Sequence, residues 1–367
     1  MAISTWPDGF RDMLSVPFVE ALLGRRSRRF FLGAEIPDGV FAHKSSSGPV
    51  PLTELEKSLV VAACGGNTSW HHLIFRAERY APHLSNYAAA AGGRTFPSSA
   101  GFHTSMTFFT DDEGVYVLET RDAPAFAERA GDGSLEPEGF LEAVRRQVRK
   151  IADGRLKLPP VVPYVEPHNT WVVNRPGTLL VTPVGDLSQH VLLNLCYMLQ
   201  NGLVLTDDIH RRAIPGIGQF TGIVDVNNTW PITFVEQWSM AELTAELASS
   251  CYAGTLMLQA MGLGGWMFNG IDAFGFLGAS GNPEVPGLAS ATTRTSGGPI
   301  PTRRAWRASW KGTVPPIIPT CGLPWMLSAC ASSVRAGPST PTPRVPGKTR
   351  GRSDRPPGST ARNSGSA

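Results

Sequence analysis

After Leu288 this chain stops looking like one that can build a core, and that break constrains its fold more than any single motif. Residues 289–367 are dominated by Ser, Thr, Pro, Gly, Ala and Arg, with no sustained helical period. They carry 12 Lys and Arg against one acid, Asp354; residues 1–288 carry 21 Lys and Arg against 29 Asp and Glu. The net charge of +3 therefore hides an acidic body of −8 and a basic tail of +11. So little burial cannot offset chain entropy, and the expectation is one domain over 1–288 with a disordered tail over 289–367. Trp306, Trp310 and Trp325 are the tail's exceptions. A second reading is a shifted frame. Written in GC-rich codons and moved by two bases, residues 289–299 become LRYDEDERWP, an acid-rich string that suits the position after GASGNPEVPGL.

The body has the means to build a core, since the chain is 42% hydrophobic. Phe18–Leu23 reads as a short helix stopped by Gly24. Thr53 and Glu56 make a capping box for a helix to about Ala63. Met106–Phe109 and Gly114–Leu118 read as a hairpin around Asp111–Gly114. Residues 136–153 read as an amphipathic helix with Arg145, Arg146, Arg149 and Lys150 facing solvent. Thr178–Val184 reads as a buried strand. Ser188 then caps a helix, Gln189–Gln200, that is apolar almost all round and expected to be buried. Ile232–Val235 reads as a strand, and Ser239 with Glu242 as a second capping box opening a helix to about Met261. Strands without strict βαβ alternation argue for an α+β fold, with a mixed sheet flanked by helices.

Several chemistries have no support. Five cysteines without CxxC spacing fit neither a disulfide framework nor a metal site, and Cys64, Cys196 and Cys251 read as buried thiols. No leader-like segment and no run of about 18 apolar residues is present. A cytoplasmic setting, with no membrane partner, is the expectation. Gly216–Gly222 misses the dinucleotide spacing and reads as a loop. An acidic body argues against nucleic acid, which only the tail would attract.

The densest chemistry is the run GRRSRRFF, Gly24–Phe31. Arginine forks match phosphate oxygens two at a time, and Arg25, Ser27 and Arg29 alternate, so an extended chain aims all three one way. The bland alternative is a solvated basic patch. Pro97, Ser98, Ser99, Ala100 and Gly101 lack a base at fixed spacing, which leaves a serine nucleophile weakly supported. His71 and His72 beside Trp70 could donate protons, although adjacent histidines are more often structural. His103, just after the small-residue block, is the better candidate for a residue facing an active site. Tyr116 and Tyr252 are further donors.

Four segments in order, over roughly residues 18–288, resemble the flavin-dependent nitroreductase superfamily. RRSRRFF fits R-R-S-x-R-x-F. PLTELEKSLVVAACGG is similar to the helix that follows. RTFPSSAG with TFFTDDEGVYVLE resembles the "PSAG … GVY" region of the SagB-type dehydrogenase branch, and LMLQAMGLGGWMFNG its late "A-x-x-LGLG" helix and glycine turn. The resemblance implies an intertwined homodimer with FMN at the subunit interface. It places Arg25, Ser27 and Arg29 on the phosphate, and residues 97–101 with Gly264 and Gly265 along the ring. It also implies two-electron transfer between flavin and a small or peptidic substrate, azoline-type rings among them. The matching blocks hold a single lysine, Lys57 in the helix block, and the blocks that the resemblance places along the flavin hold none to serve as the base that azoline oxidation needs. The alternative is a flavin-fold protein without turnover, acting as a binding or structural partner in a biosynthetic pathway.

Overall fold

A computed structural model of the chain describes residues 8–68, 72–73, 90–91, 93–120, 123, 137–285, 287–288 and 330–334. The chain divides into a unit from Met1 to Gly337 and another from Pro338 to Ala367; the second lies outside the described residues.

The first unit is α+β. Helices α1 (Asp8–Ser15) and α2 (Phe18–Gly24) lead into a two-stranded ribbon, β1 (Glu35–Ile36) and β2 (His43–Lys44). Helix α3 (Glu54–Gly65) starts as its sequence predicts. Thr53 Oγ1 accepts from Glu56 N, and Glu56 returns a carboxylate to Thr53 N at 2.7 Å. Two short strands follow, β3 (His72–Leu73) and β4 (Ala90–Ala91). The hairpin β5 (Ser105–Thr110) and β6 (Gly114–Leu118) turns on Asp111, whose carboxylate accepts from the amides of Glu113 and Gly114.

Residues 137–153 differ from the single helix expected. Helix α4 spans Pro137–Gln147, and Val148–Asp153 is strand β7, paired antiparallel to β6. The open edge of β6 supplies backbone partners that override the local helical pattern. The basic residues do face outward, each on a carboxylate: Arg145 on Glu54, Arg146 on Glu142, Arg149 on Glu119 and Lys150 on Asp153.

Strand β8 (Leu179–Gly185) leads into helix α5 (Leu187–Gln200), whose cap is Asp186 rather than Ser188. Strands β9 (Val204–Asp207), β10 (Arg212–Ala213) and β11 (Thr229–Pro231) form a small mixed sheet. Helix α6 then runs 29 residues, Ile232–Ala260. Ile232–Val235 is therefore helical, and Ser239 and Glu242 lie inside the helix instead of capping it. The start is fixed from outside, because the Asp208 carboxylate accepts from the N–H and hydroxyl of Thr233. Strand β12 (Gly264–Phe268) and helix α7 (Ala273–Leu277) follow. Strand β13, Cys330–Val334, comes from the stretch that composition assigns to the tail.

The main sheet has the order β12-β13-β8-β5-β6-β7 and is antiparallel throughout, so the mixed pairing expected of it occurs only in the small sheet. Its two faces are both buried. Phe109, Leu118, Leu179 and Val181 pack with α3, α4 and α6, while Phe108, Val117 and Ile151 pack with Val165, Ile271 and Phe276. Helices α3 and α6 cross closely at Gly254, where a Cβ would strike Cys64 Sγ. Cys64 and Cys251 are buried, and burial pushes the Cys64 thiol up to about 12; Cys196 is exposed, contrary to its apolar context. That context misleads because α5 buries His190, Asn194 and Met198 and turns Leu192 and Leu199 outward, 61% and 44% exposed.

Candidate functional site

The arginine run leaves α2 in an extended conformation, with Arg25 at φ −54°, ψ 132°. It lies along the end of α6 and the start of β12. Arg26 N donates to Gln259 Oε1 at 3.2 Å, and Arg28 Nη1 donates to the Leu263 carbonyl at 3.2 Å. Arg28 is off the alternating set and turns back to the body. Ser27 and Arg29 are exposed and Arg25 is half-buried. The Arg29 guanidinium sits 5.2 Å from the Trp266 ring centroid, within cation–π range. Among the described residues none of these four arginines pairs with a carboxylate, whereas Arg145, Arg146, Arg149, Arg155, Arg175 and Arg212 all do.

Gly264 and Gly265 join the run from β12. They are strand residues, and the helix before them ends through Gly262 at φ 69°. A Cβ on Gly264 would come within 2.6 Å of the Arg28 carbonyl oxygen. The close approach that this glycine permits is therefore to the Arg28 backbone. Beside it Trp266 is buried, stacked on Trp171 at 6.1 Å, and its Nε1 has no partner among the described residues.

The small-residue block forms a separate construction. Ser99–Gly101 is a single 3-10 turn, Gly101 has φ 70° and His103 φ 47°. The side chain of Ala100 is outside the described residues. Glu246 of α6 is fully buried and takes both ends of this loop. Its Oε2 accepts from Ser98 Oγ at 2.6 Å; its Oε1 accepts from Ser105 N at 3.0 Å and from Ser105 Oγ. Ser98 Oγ in turn accepts from His103 N at 3.3 Å. Next to it the buried His190 of α5 joins Thr104 Oγ1 at 3.1 Å to Glu242 Oε2 at 3.1 Å. Burial pushes the Glu242 carboxyl up, but hydrogen bonds from His190, Asn194 and Trp238 together hold it below its ordinary value.

The sequence pattern put Glu242 in a capping box and passed over Glu246 and His190. A signal was present: Ser239, Glu242, Glu246 and Ser250 recur at spacings of 3 and 4 along a largely apolar helix, which places them on one face, and Ser239, Glu246 and Ser250 are buried there.

The two halves of the predicted site are anchored at different points along α6. The loop is held at Glu246 and the arginine run at Gln259. Those residues are 13 positions apart, about 20 Å along a helix at 1.5 Å per residue. His71 and Trp70 lie outside the described residues, and His72 is described only as backbone of β3. Burial, then the charges of Asp111, Glu113 and Asp153, push the Tyr116 phenol up to about 12, so it holds its proton at neutral pH. Tyr252 is 39% exposed on α6. A cavity of about 20 Å³ near Val172, Asn174 and Phe268 has room for about one water and includes none of the predicted site residues. Among the described residues no group of His, Cys, Asp and Glu could hold a metal ion, and no helix is long and apolar enough to cross a membrane.

No family model matches this chain, and no curated protein matches it. Among solved structures it is similar to a protein of Ralstonia eutropha JMP134 called a "putative nitroreductase", at 12% identity and a TM-score of 0.35, over 88% of this chain and 84% of that one. A likeness that loose carries no functional argument.

Proposed function

We propose that the chain is an FMN-dependent oxidoreductase of the nitroreductase type, moving two electrons between flavin and a small or peptidic substrate. The observation that carries the reading is the arginine run. Four guanidinium groups cluster on an acidic body without a carboxylate partner among the described residues, which is the donor set a phosphate group would take. Arg25, Ser27 and Arg29 would hold the phosphate, and Arg28 keeps their backbone against Leu263. Residues 97–101 would border the ring, where a turn of small residues lets backbone N–H groups approach a flat surface. Bound flavin supplies the electron-carrying ring, and the protein contributes binding, orientation and polar surroundings.

The separation of about 20 Å along α6 favours a site shared between two copies, with the phosphate cradle from one and the ring edge from the other. The outward leucines of α5 and the exposed Phe18, Val19 and Leu23 of α2 support a homodimer, because a lone chain leaves them in water. The test is an absorption spectrum and light scattering on the purified full chain. A yellow dimer that releases FMN on denaturation is expected. A colourless protein that takes up no added FMN overturns the reading, and a stable flavin-loaded monomer overturns the shared site.

A further inference from the structure

We propose that Glu246 is the positioning residue of the Ser98–Ser105 loop, fixing the orientation in which that loop presents its backbone to a bound ring; the ring itself rests on the reading above. A fully buried carboxyl group is costly unless hydrogen bonds replace its water, and among the described residues no Lys, Arg or His pairs with this one. Among the described residues, all of its hydrogen-bond partners lie in the loop. Oε2 takes Ser98 and Oε1 takes Ser105 twice, so one side chain on a 29-residue helix closes a loop of eight residues at both ends.

The loop needs that support. Gly101 at φ 70° can take the left-handed region freely, but His103 at φ 47° cannot do so without strain. The His103 N–H donates to Ser98 Oγ, which donates to Glu246. The strained residue is therefore two hydrogen bonds from the carboxylate. Thr104, between His103 and Ser105, is held independently through His190 to Glu242. Three consecutive residues, 103 to 105, are thus referred to α5 and α6 rather than to solvent. A core that wanted only cohesion would do as well with apolar residues here. Donors converging from both ends of one loop point to geometry as the reason the carboxyl group is kept.

Amide hydrogen exchange on the wild-type chain and on Glu246→Gln and Ser98→Ala separates positioning from mere packing. In wild type the amides of residues 101–105 should exchange as slowly as those of α6. Both variants should speed exchange there at least tenfold while α3 and β8 keep their protection. With FMN added, both should still bind it but shift its visible absorption bands and its reduction potential, which loss of general stability would not do. Fast exchange at 101–105 in wild type overturns the proposal, and so do variants whose loop exchange and flavin spectrum match wild type. If Glu246→Gln fails to fold, Ser98→Ala decides, since it removes one donor and leaves Ser105 on the carboxylate. Wild type that binds no FMN defeats the flavin reading alone, because the exchange arm needs no ligand.

Discussion

At the scale of single residues, Arg29 is the sharpest test. It combines an exposed guanidinium with the Trp266 face and has no carboxylate partner among the described residues. Arg29→Ala should weaken FMN binding by about 1.5–3 kcal/mol, the scale of a hydrogen bond to a charged group, as read by fluorescence titration. Arg146, paired with Glu142 on the exposed side of α4, is the control; an equal loss there would sink the site assignment. A second prediction concerns Asp207. A backbone hydrogen bond from His210, with Arg212 beside it, holds this carboxyl down at about 2 against an ordinary 3.8. The folded value is depressed, so the stabilisation is complete above about pH 3.8 and is lost as pH falls towards 2. Asp207→Asn should flatten the acid limb of the stability profile in that window, and an unchanged limb would contradict the assignment.

At the scale of elements, the crossing of α3 and α6 governs the packing behind the sheet. Gly254 faces Cys64, and Ser250 Oγ donates to the Cys64 carbonyl at the same crossing. Gly254→Ala should therefore cost about 1–3 kcal/mol by overpacking. Cys64→Ala removes the sulfur that the new methyl meets, so the double variant should recover part of the loss in a mutant cycle by denaturant unfolding. Strictly additive losses would show that the helices simply move apart. The same helix explains where local patterns mislead. Ser239 and Glu242 have capping-box spacing, yet Asp208 starts α6 seven residues before Ser239, and the pair meets α5 instead, with Asn194 donating to both side chains.

At the scale of the molecule, strand β13 ties the stretch after Leu288 to the main sheet. It pairs with β12 over five residues and with β8 over three, so it bridges the sheet. A chain ending at Leu288 lacks that bridge and leaves two strand edges unpaired. It should unfold at a lower temperature than a chain ending at Gly337, by calorimetry. Equal melting temperatures would return residues 330–334 to the tail.

Sequence alone determined the features whose causes are local. The α3 capping box needs only Thr53 and Glu56, the β5–β6 hairpin needs Asp111 and the apolar strands around it, and α2, read over Phe18–Leu23, runs one residue further to Gly24. The α+β class followed from the same patterns, and the arginine run was visible as composition. Only tertiary structure decided what depends on residues far apart in the chain. Val148–Asp153 is a strand because β6 offers an unpaired edge, and α6 begins at Ile232 because Asp208 reaches it. Gly264 is small because Arg28 passes over it, and Glu246 is tolerated because Ser98 and Ser105 lie 148 and 141 residues away in the chain but beside it in space. A buried polar group is stable only with its partners present, and periodicity carries no information about partners that distant.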